Sequence, residues 1–262
     1  MPSYSPQLML FGRGAVSSDF PSGTQGPVEG GFFVAQLDQA TPFHVHGPAE
    51  MVGVSLNVKG WAALTGQPVN LTTNRMLPLA GTIADGDAAA AAADIAGRLG
   101  RGDIDRPQAA SQIASVLGGA LRALDPGHEQ FIDRMLEWLG NSFNPAIEDL
   151  QETLSMSPRT VQRLANRYFG RPPIALAKRY RAVRAATMLS MPDLPDAIVT
   201  EIYDSFYDQA HLIRDLRRYT GRTPKRLGGD TETLGEKTLD VRGYGNAALF
   251  DRIAEEEAKA KA

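Results

Sequence analysis

The sequence predicts an α+β protein, in which a β-rich, barrel- or sandwich-like N-terminal domain with trailing helices precedes an all-α domain. Residues 1–83 hold short apolar runs between Gly, Pro, Ser and Thr, as antiparallel strands joined by turns do. Three Ala- and Leu-rich stretches with helical spacing follow, over residues 87–99, 106–124 and 128–139. The charge also changes sign: residues 1–144 carry 8 basic and 13 acidic side chains (−5), whereas residues 145–226 carry 14 and 9 (+5). The chain therefore has an acidic β-rich part and a basic helical part.

The domain boundaries follow this division. We expect a β-rich domain over residues 1–83, its helical segment and linker over 84–143, the all-α domain over 144–227, and a C-terminal tail over 228–262. The absence of cysteine excludes disulfides, Cys-based zinc sites and thiol catalysis. No signal-peptide pattern and no apolar run near 18 residues occur, so we expect a cytoplasmic protein without a membrane segment.

One cluster in the β-rich part has the residue types of a metal site. On a strand, His44 and His46 would face the same way, and Glu50 would follow after a turn. This spacing resembles the first metal motif of cupins, which need a further His from a later strand. The remaining histidines, His128 and His211, fall in predicted helices. Histidines on the surface or in a pocket are therefore preferred, and a cupin-like metal-dependent enzyme is kept as an alternative. No catalytic residue and no cofactor is predicted.

The basic part begins with two helices joined by a three-residue turn. A short helix over 144–154 is broken by residues 155–157. Ser157 is then a natural N-cap, Pro158 suits the first helical position, and Gly170 ends the second helix after Phe169. This arrangement is a helix-turn-helix unit, whose second helix enters the major groove of DNA.

The second helix of this unit has one apolar and one basic face. Arg159, Arg163 and Arg167 recur at every fourth position, with Gln162 and Asn166 beside them. Arginine suits guanine O6 and N7, and Gln or Asn suits adenine N6 and N7. Residues 155–184 hold eight basic and no acidic side chains, so a merely solvated face would repel itself. The pattern favours binding to nucleic acid.

A second helix-turn-helix pattern follows the first along the chain. A helix over 174–189 carries Lys178 and three arginines, and leads to a short helix over 196–203. Another helix over 208–219 is capped by Asp208 and ended by Gly221. Two helix-turn-helix units joined by one helix form an internal duplication, which is more specific than either unit alone.

Residues 147–227 resemble the DNA-binding domain of AraC/XylS-type transcription regulators. The diagnostic stretch is residues 206–224, FYDQAHLIRDLRRYTGRTP, and the first unit matches through residues 157–159 and 162–164. The resemblance implies that base edges are read from both second helices, and that the other basic residues bind phosphate. The expected base-reading residues are Arg159, Gln162, Arg163, Asn166, Gln209, Ala210 and Arg214. The expected phosphate contacts are Arg167, Arg171, Lys178, Arg179, Arg181, Arg184, Arg217 and Arg218.

The second unit departs from the family pattern at three positions. Ser205 stands where the family has Gly at the turn, and Thr200 and Glu201 replace apolar positions of the preceding helix. The helix keeps a helical apolar spacing, in a register shifted relative to the family, through Val199, Ile202 and Tyr203. We therefore expect the half of the DNA site read by the first unit to be the better defined.

The resemblance implies a sequence-specific DNA-binding transcription regulator. Residues 51–79 are similar to the β-rich domains that precede this DNA-binding domain in many family members, which sense a small molecule or dimerise. The expected partners are double-stranded DNA, a small-molecule effector, a second copy of the chain and RNA polymerase. A non-specific architectural DNA-binding protein and a regulator controlled by a partner protein are the further alternatives.

Overall fold

The computed structural model describes residues 5–191 and 194–223, and the predicted tail over 228–262 lies outside them. Two compact units divide the described chain: an N-terminal unit of residues 5–132 and 164–170, and a C-terminal unit of the remaining residues. The elements in chain order are β1 (Gln7–Phe20), β2 (Gly23–Val28), β3 (Gly31–Val34), β4 (Phe43–Ser55), α1 (Val58–Thr65), α2 (Val69–Thr72), β5 (Met76–Pro78), α3 (Gly86–Arg101), α4 (Arg106–Gly119), α5 (Pro126–Asn141), α6 (Ile147–Leu154), α7 (Pro158–Phe169), α8 (Pro173–Leu189), α9 (Asp196–Asp204) and α10 (Gln209–Thr220).

The strands form one antiparallel sheet built around β1. On one side of β1, β3 pairs with its first half and β2 with its second half, and β5 continues the sheet beyond β3. On the other side, β4 pairs along most of β1. Two register shifts near Arg13 bend the β1–β4 pair, as bulges do, and the sheet curves into a half-barrel. The predicted α+β class with a β-rich N-terminal part is confirmed.

Both faces of the sheet are buried, which explains why β1 is apolar at successive positions. Leu8 and Leu10 pack with α1, α3 and α4 in one core. Met9 and Phe11 point to the other face and pack with Phe32 and neighbouring apolar side chains. The Phe11 and Phe32 rings stack with centroids 5.7 Å apart. The face of the sheet that carries Met9 and Phe11 is therefore covered by apolar side chains of the strands and of the loop after β3.

Local capping signals set the bounds of the helices after the sheet. The Asp85 carboxylate accepts backbone N–H groups at the start of α3, and Gly102 ends that helix in the left-handed region. Asp105 and Gln108 form a capping box at the start of α4. The prediction of a helix over 106–124 was too long, because α4 ends at Gly119 and a loop leads to α5. None of the described helices is both long and apolar enough to cross a bilayer.

The C-terminal unit contains the second helix pair with its own core. Ile198 and Ile202 of α9, Leu212 and Leu216 of α10, and Phe143 pack with apolar side chains of α8. Ile198 is buried, while Val199 is half-buried and Tyr203 is 38% exposed, so the buried face of α9 differs slightly from the predicted one. The helix bounds predicted from Asp208 and Gly221 agree with α10.

The turns of the two helix pairs have opposite backbone conformations. Ser155, after α6, has φ 48° and ψ 33°, the left-handed region that favours glycine. Ser205, after α9, has φ −71° and ψ −12°, which any residue adopts, and its hydroxyl donates to the Ile202 carbonyl at 2.7 Å. The missing family glycine at position 205 therefore imposes no backbone strain on the second turn.

We expect glycine substitutions at these two serines to have opposite effects on stability. Ser155→Gly should raise the free energy of unfolding by about 0.5–1 kcal/mol, because it relieves a left-handed conformation. Ser205→Gly should lower it by about 0.5–1 kcal/mol, since it adds freedom to the unfolded chain and removes a hydrogen bond. Urea denaturation of the full chain measures both. Equal changes for the two variants would contradict the assigned turn conformations.

Candidate nucleic-acid interface

Helix α7 presents the predicted base-reading residues of the first unit to solvent. Arg159, Gln162 and Arg163 are exposed, and Asn166 is half-buried. The opposite face is buried through Val161, Leu164, Ala165, Tyr168 and Phe169. The helix begins where predicted, because the Ser157 hydroxyl accepts the Thr160 backbone N–H at 3.3 Å.

Helix α10 presents a second exposed polar face. Gln209, Ala210 and Arg214 are exposed, as are Arg217 and Arg218. The helix holds one acidic residue, Asp215, whose side chain is only 13% exposed because it faces α8. The solvent face of α10 is therefore basic, as a phosphate- or base-contacting surface requires.

The predicted phosphate contacts fall into two groups. Arg171 and Lys178 are exposed, like the pair at the end of α10, and Arg167 is half-buried with its guanidinium 5.6 Å from the Tyr168 ring centroid. Arg179 and Arg184 are instead buried, with relative exposures of 5% and 6%. The guanidinium groups of these two arginines are enclosed by protein, whereas the exposed cations of the first group are open to a phosphate.

Arg184 instead holds the end of α5. Its Nη1 donates to the Ser142 carbonyl at 2.8 Å, and its Nη2 donates to the carbonyls of Leu139 and Gly140 at 2.9 and 3.2 Å. The guanidinium also lies 5.4 Å from the Phe143 ring centroid. The last carbonyls of a helix lack intrahelical partners and attract cations. Arg184 thus supplies a cationic C-cap from 42 or more residues away.

Arg181 is the centre of a network that fixes the second helix pair. Its Nη1 donates to Asn144 Oδ1 at 2.5 Å and to the Ser205 carbonyl at 3.0 Å. Its Nη2 lies 3.6 Å from Asp215 Oδ2, and its guanidinium lies 4.4 Å from the Phe206 ring centroid. The Arg181 side chain is 11% exposed. Its guanidinium is therefore surrounded by the Asn144 amide, the Ser205 carbonyl, the Asp215 carboxylate and the Phe206 ring.

An exposed aromatic residue in the second turn was not among the predicted site residues. Tyr207 lies between α9 and α10 and is 93% exposed, the highest value among the large apolar side chains that are exposed in the described chain. It immediately precedes Asp208, the N-cap of α10. The sequence could have indicated this residue, because a large aromatic side chain is unusual in a short turn between two helices.

The cluster around His44 forms separate pairs. The contacts join His44 to Asp19 at 3.0 Å, His46 to Ser17 at 2.7 Å, and Glu50 to Arg13 at 3.3 Å. The Thr24 hydroxyl and then the His44 imidazole hold the pKa of Asp19 below its usual value. Within residues 5–191 and 194–223, no group of three or more His, Cys, Asp or Glu side chains is placed to hold a metal ion. The three predicted ligands therefore do not converge on one point.

Two helix pairs with exposed basic second helices lie within residues matched by a known family model. The model describes a helix-turn-helix domain of the AraC type and matches residues 150–228. Residues 150–228 therefore resemble an AraC-type DNA-binding domain. The match covers α7, α8, α9 and α10 and supports a DNA-binding transcription regulator. No curated protein and no solved structure matches the chain.

Within the matched residues, α7 and α10 are the second helices of the two helix pairs. The identified range begins inside α6, so both units are included. The β-rich N-terminal part lies outside the matched residues.

Proposed function

We propose that this protein is a sequence-specific transcription regulator in which α7 and α10 read base edges in successive major grooves. The exposed face of α7 carries the proposal. Arg159, Gln162 and Arg163 offer guanidinium and amide donors on one turn and a half of helix, and the helix has no acidic residue. Phosphate contacts alone would need charge but not amides, which disfavours a non-specific architectural binder.

Tyr207 extends this proposal to the second unit. Its ring is exposed beside the N-terminal end of α10, and recognition helices contact DNA through their N-terminal residues, which supports a contact there. Its ring can pack on a sugar or a thymine methyl group, and its hydroxyl can donate to a phosphate. Together with Gln209 and Arg214 it gives the second unit base-reading and positioning groups. The phosphate contacts proposed are Arg171, Lys178, Arg217 and Arg218.

The N-terminal unit is proposed to control DNA binding, by sensing a small molecule or by joining two chains. Strand β4 supports the second route. Among the described strands it pairs with β1 alone, so its other edge leaves ladder groups for a second copy of the chain. Two tethered copies would raise the effective concentration of the readers on adjacent sites. RNA polymerase is the further partner proposed for a regulator that activates transcription.

Replacing Arg163 with Ala is expected to lower affinity for the specific site by about 1–3 kcal/mol and to relax preference at one base pair. The physical reason is the loss of a bidentate contact to one base. The site would first be selected from random duplexes with the full chain. Fluorescence anisotropy with specific and scrambled DNA would then measure the variant.

Lys178→Ala is the matched control, since Lys178 is exposed and belongs to α8 and to neither proposed recognition helix. It should weaken binding to specific and scrambled DNA alike and reduce the salt slope by about one unit. An Arg163→Ala protein that kept the full selectivity of the parent would overturn the proposed register of α7. Equal affinity of the parent for selected and scrambled DNA would support the architectural alternative.

A further inference from the structure

A cavity of about 310 Å³ lies within the N-terminal unit. It is lined by the end of α1, the loop before α5, the first turns of α5 and the last turns of α7. Ala62 and Ala63 form an apolar part of the lining, and Gln67, His128 and Tyr168 add polar groups. The cavity is partly open to solvent, since Arg122 is exposed, and its convergent polar groups can orient a small molecule.

Two arginines give this cavity a positive charge. Arg122, in the loop before α5, and Arg167, on α7, both line it. Within the described residues, neither guanidinium forms an ion pair or a hydrogen bond. Asp125, the acidic residue of the lining, already accepts the backbone N–H of His128 at 3.0 Å as a cap of α5. The charges that line the cavity therefore favour an anion.

The cavity walls are held in place by their own contacts. The backbone N–H of Arg122 donates to the Ala63 carbonyl at 3.2 Å, which fixes the loop on α1. The Tyr168 hydroxyl and His128 Nδ1 are 2.8 Å apart, and their rings are 5.5 Å apart. A preformed site loses less conformational freedom on binding, so a small ligand can be held by few contacts.

The end of α7 is part of the same unit. The Gln36 Nε2 donates to the Phe169 carbonyl at 2.6 Å, and this contact is buried. Gly170 has φ 77°, and a Cβ there would lie 2.9 Å from Gln36 Nε2 and from Val69 Cγ1. The last turn of α7 is therefore capped by a side chain from the loop after β3, and Arg167 and Tyr168 near the same end of the helix line the cavity.

We propose that this cavity binds a small organic anion carrying a carboxylate, held between the guanidinium groups of Arg122 and Arg167. A guanidinium pairs a carboxylate through two parallel hydrogen bonds, and the apolar alanines accommodate the body of the ligand. Arg167 follows Arg163 by one helical turn on α7, so the bound anion changes the restraint on the base-reading face. This inference rests on the proposed control of DNA binding through the N-terminal unit.

Isothermal titration calorimetry of the full chain tests the site, with succinate, inorganic phosphate and the neutral succinamide as probes. Succinate should bind with a Kd of about 1 mM or lower, and succinamide should not bind. Arg122→Gln should weaken succinate binding about tenfold or more, because a charge-assisted pair is lost. Arg134→Gln, an exposed arginine on α5 outside the cavity, is the matched control and should bind succinate like the parent.

Ala123→Leu provides a second variant, since it narrows the cavity and keeps both arginines. It should also weaken succinate binding. If calorimetry detects no heat of succinate binding, or if Arg122→Gln and the parent bind succinate with equal affinity, the proposed site is wrong. Tighter binding of inorganic phosphate than of succinate, abolished by random duplex DNA, would overturn it as well and identify the two arginines as contacts to the DNA backbone.

DNA binding separates this inference from the proposed function. Arg122→Gln should leave the DNA affinity of the ligand-free protein unchanged, because Arg122 belongs to none of the proposed DNA contacts. Succinate should change the affinity of the parent for its selected site severalfold and leave that of Arg122→Gln unaltered. Succinate binding that depends on Arg122 but leaves DNA affinity constant would keep the site and overturn control through it. A parent without sequence preference would overturn the proposed function alone.

Discussion

Arg184→Ala is expected to lower the free energy of unfolding by about 3–4 kcal/mol, because three carbonyls near the end of α5 lose a charged donor. Arg184 is 6% exposed, so water does not readily replace the guanidinium. The variant also loses the ring contact with Phe143. Urea denaturation, followed by circular dichroism, measures the loss.

Lys178→Ala is the control for this experiment, since Lys178 is an exposed cation on the same helix. Its effect on stability should stay within about 0.5 kcal/mol. Arg184→Lys should fall between the two, because an ammonium keeps the charge but lacks the planar fork of donors. A stable Arg184→Ala protein whose DNA binding showed a salt slope lower by about one unit would restore the phosphate role inferred from sequence.

Arg181→Ala is expected to cost about 2–4 kcal/mol of stability in the second helix pair, since the poorly exposed Asp215 carboxylate loses its cationic partner. The Ser205 carbonyl and Asn144 lose a donor at the same time. The turn before α10 should therefore loosen. Because α7 does not contact this network through any of these groups, the half of the DNA site read by the first unit should persist.

Footprinting on the selected site is the measurement that separates these two halves. The parent should protect two successive major-groove segments about 10 base pairs apart, and Arg181→Ala should protect the first segment better than the second. A double-mutant cycle with Asp215→Asn should show a coupling energy of about 1–3 kcal/mol. Uniform weakening of both segments with no coupling would show that Arg181 acts as a simple phosphate contact.

Most of the helix bounds could be predicted because their causes are local. Asp208 caps α10 and Gly221 ends it, and Ser157 begins α7, each within four residues of the backbone groups it serves. The apolar period of α7 likewise follows from 3.6 residues per turn. The prediction for α4 was too long because its alanine and leucine pattern continues past Gly119.

The sequence predicts only in part which basic residues are exposed and which are enclosed by the protein. Arg159 and Arg163 are exposed as expected, because they lie opposite a local apolar stripe. Helix α8 has apolar and small residues on several sides, so its periodicity does not reveal which arginine is enclosed. The partners of Arg184 are 42 to 45 residues away, and the partners of Arg181 lie before α6 and after α9.

The sequence by itself determined the class of the molecule, the two helix-turn-helix units and the basic face of α7, because caps, period and charge act over a few residues. Only the tertiary structure decided that Arg181 and Arg184 support the fold, that His44 and His46 bind separate partners, and that the turn at Ser205 needs no glycine. The physical reason is that burial and hydrogen bonding of a side chain depend on segments brought together by folding. Two cations on one helix, the exposed Lys178 and the buried Arg184, can therefore have different surroundings and different roles.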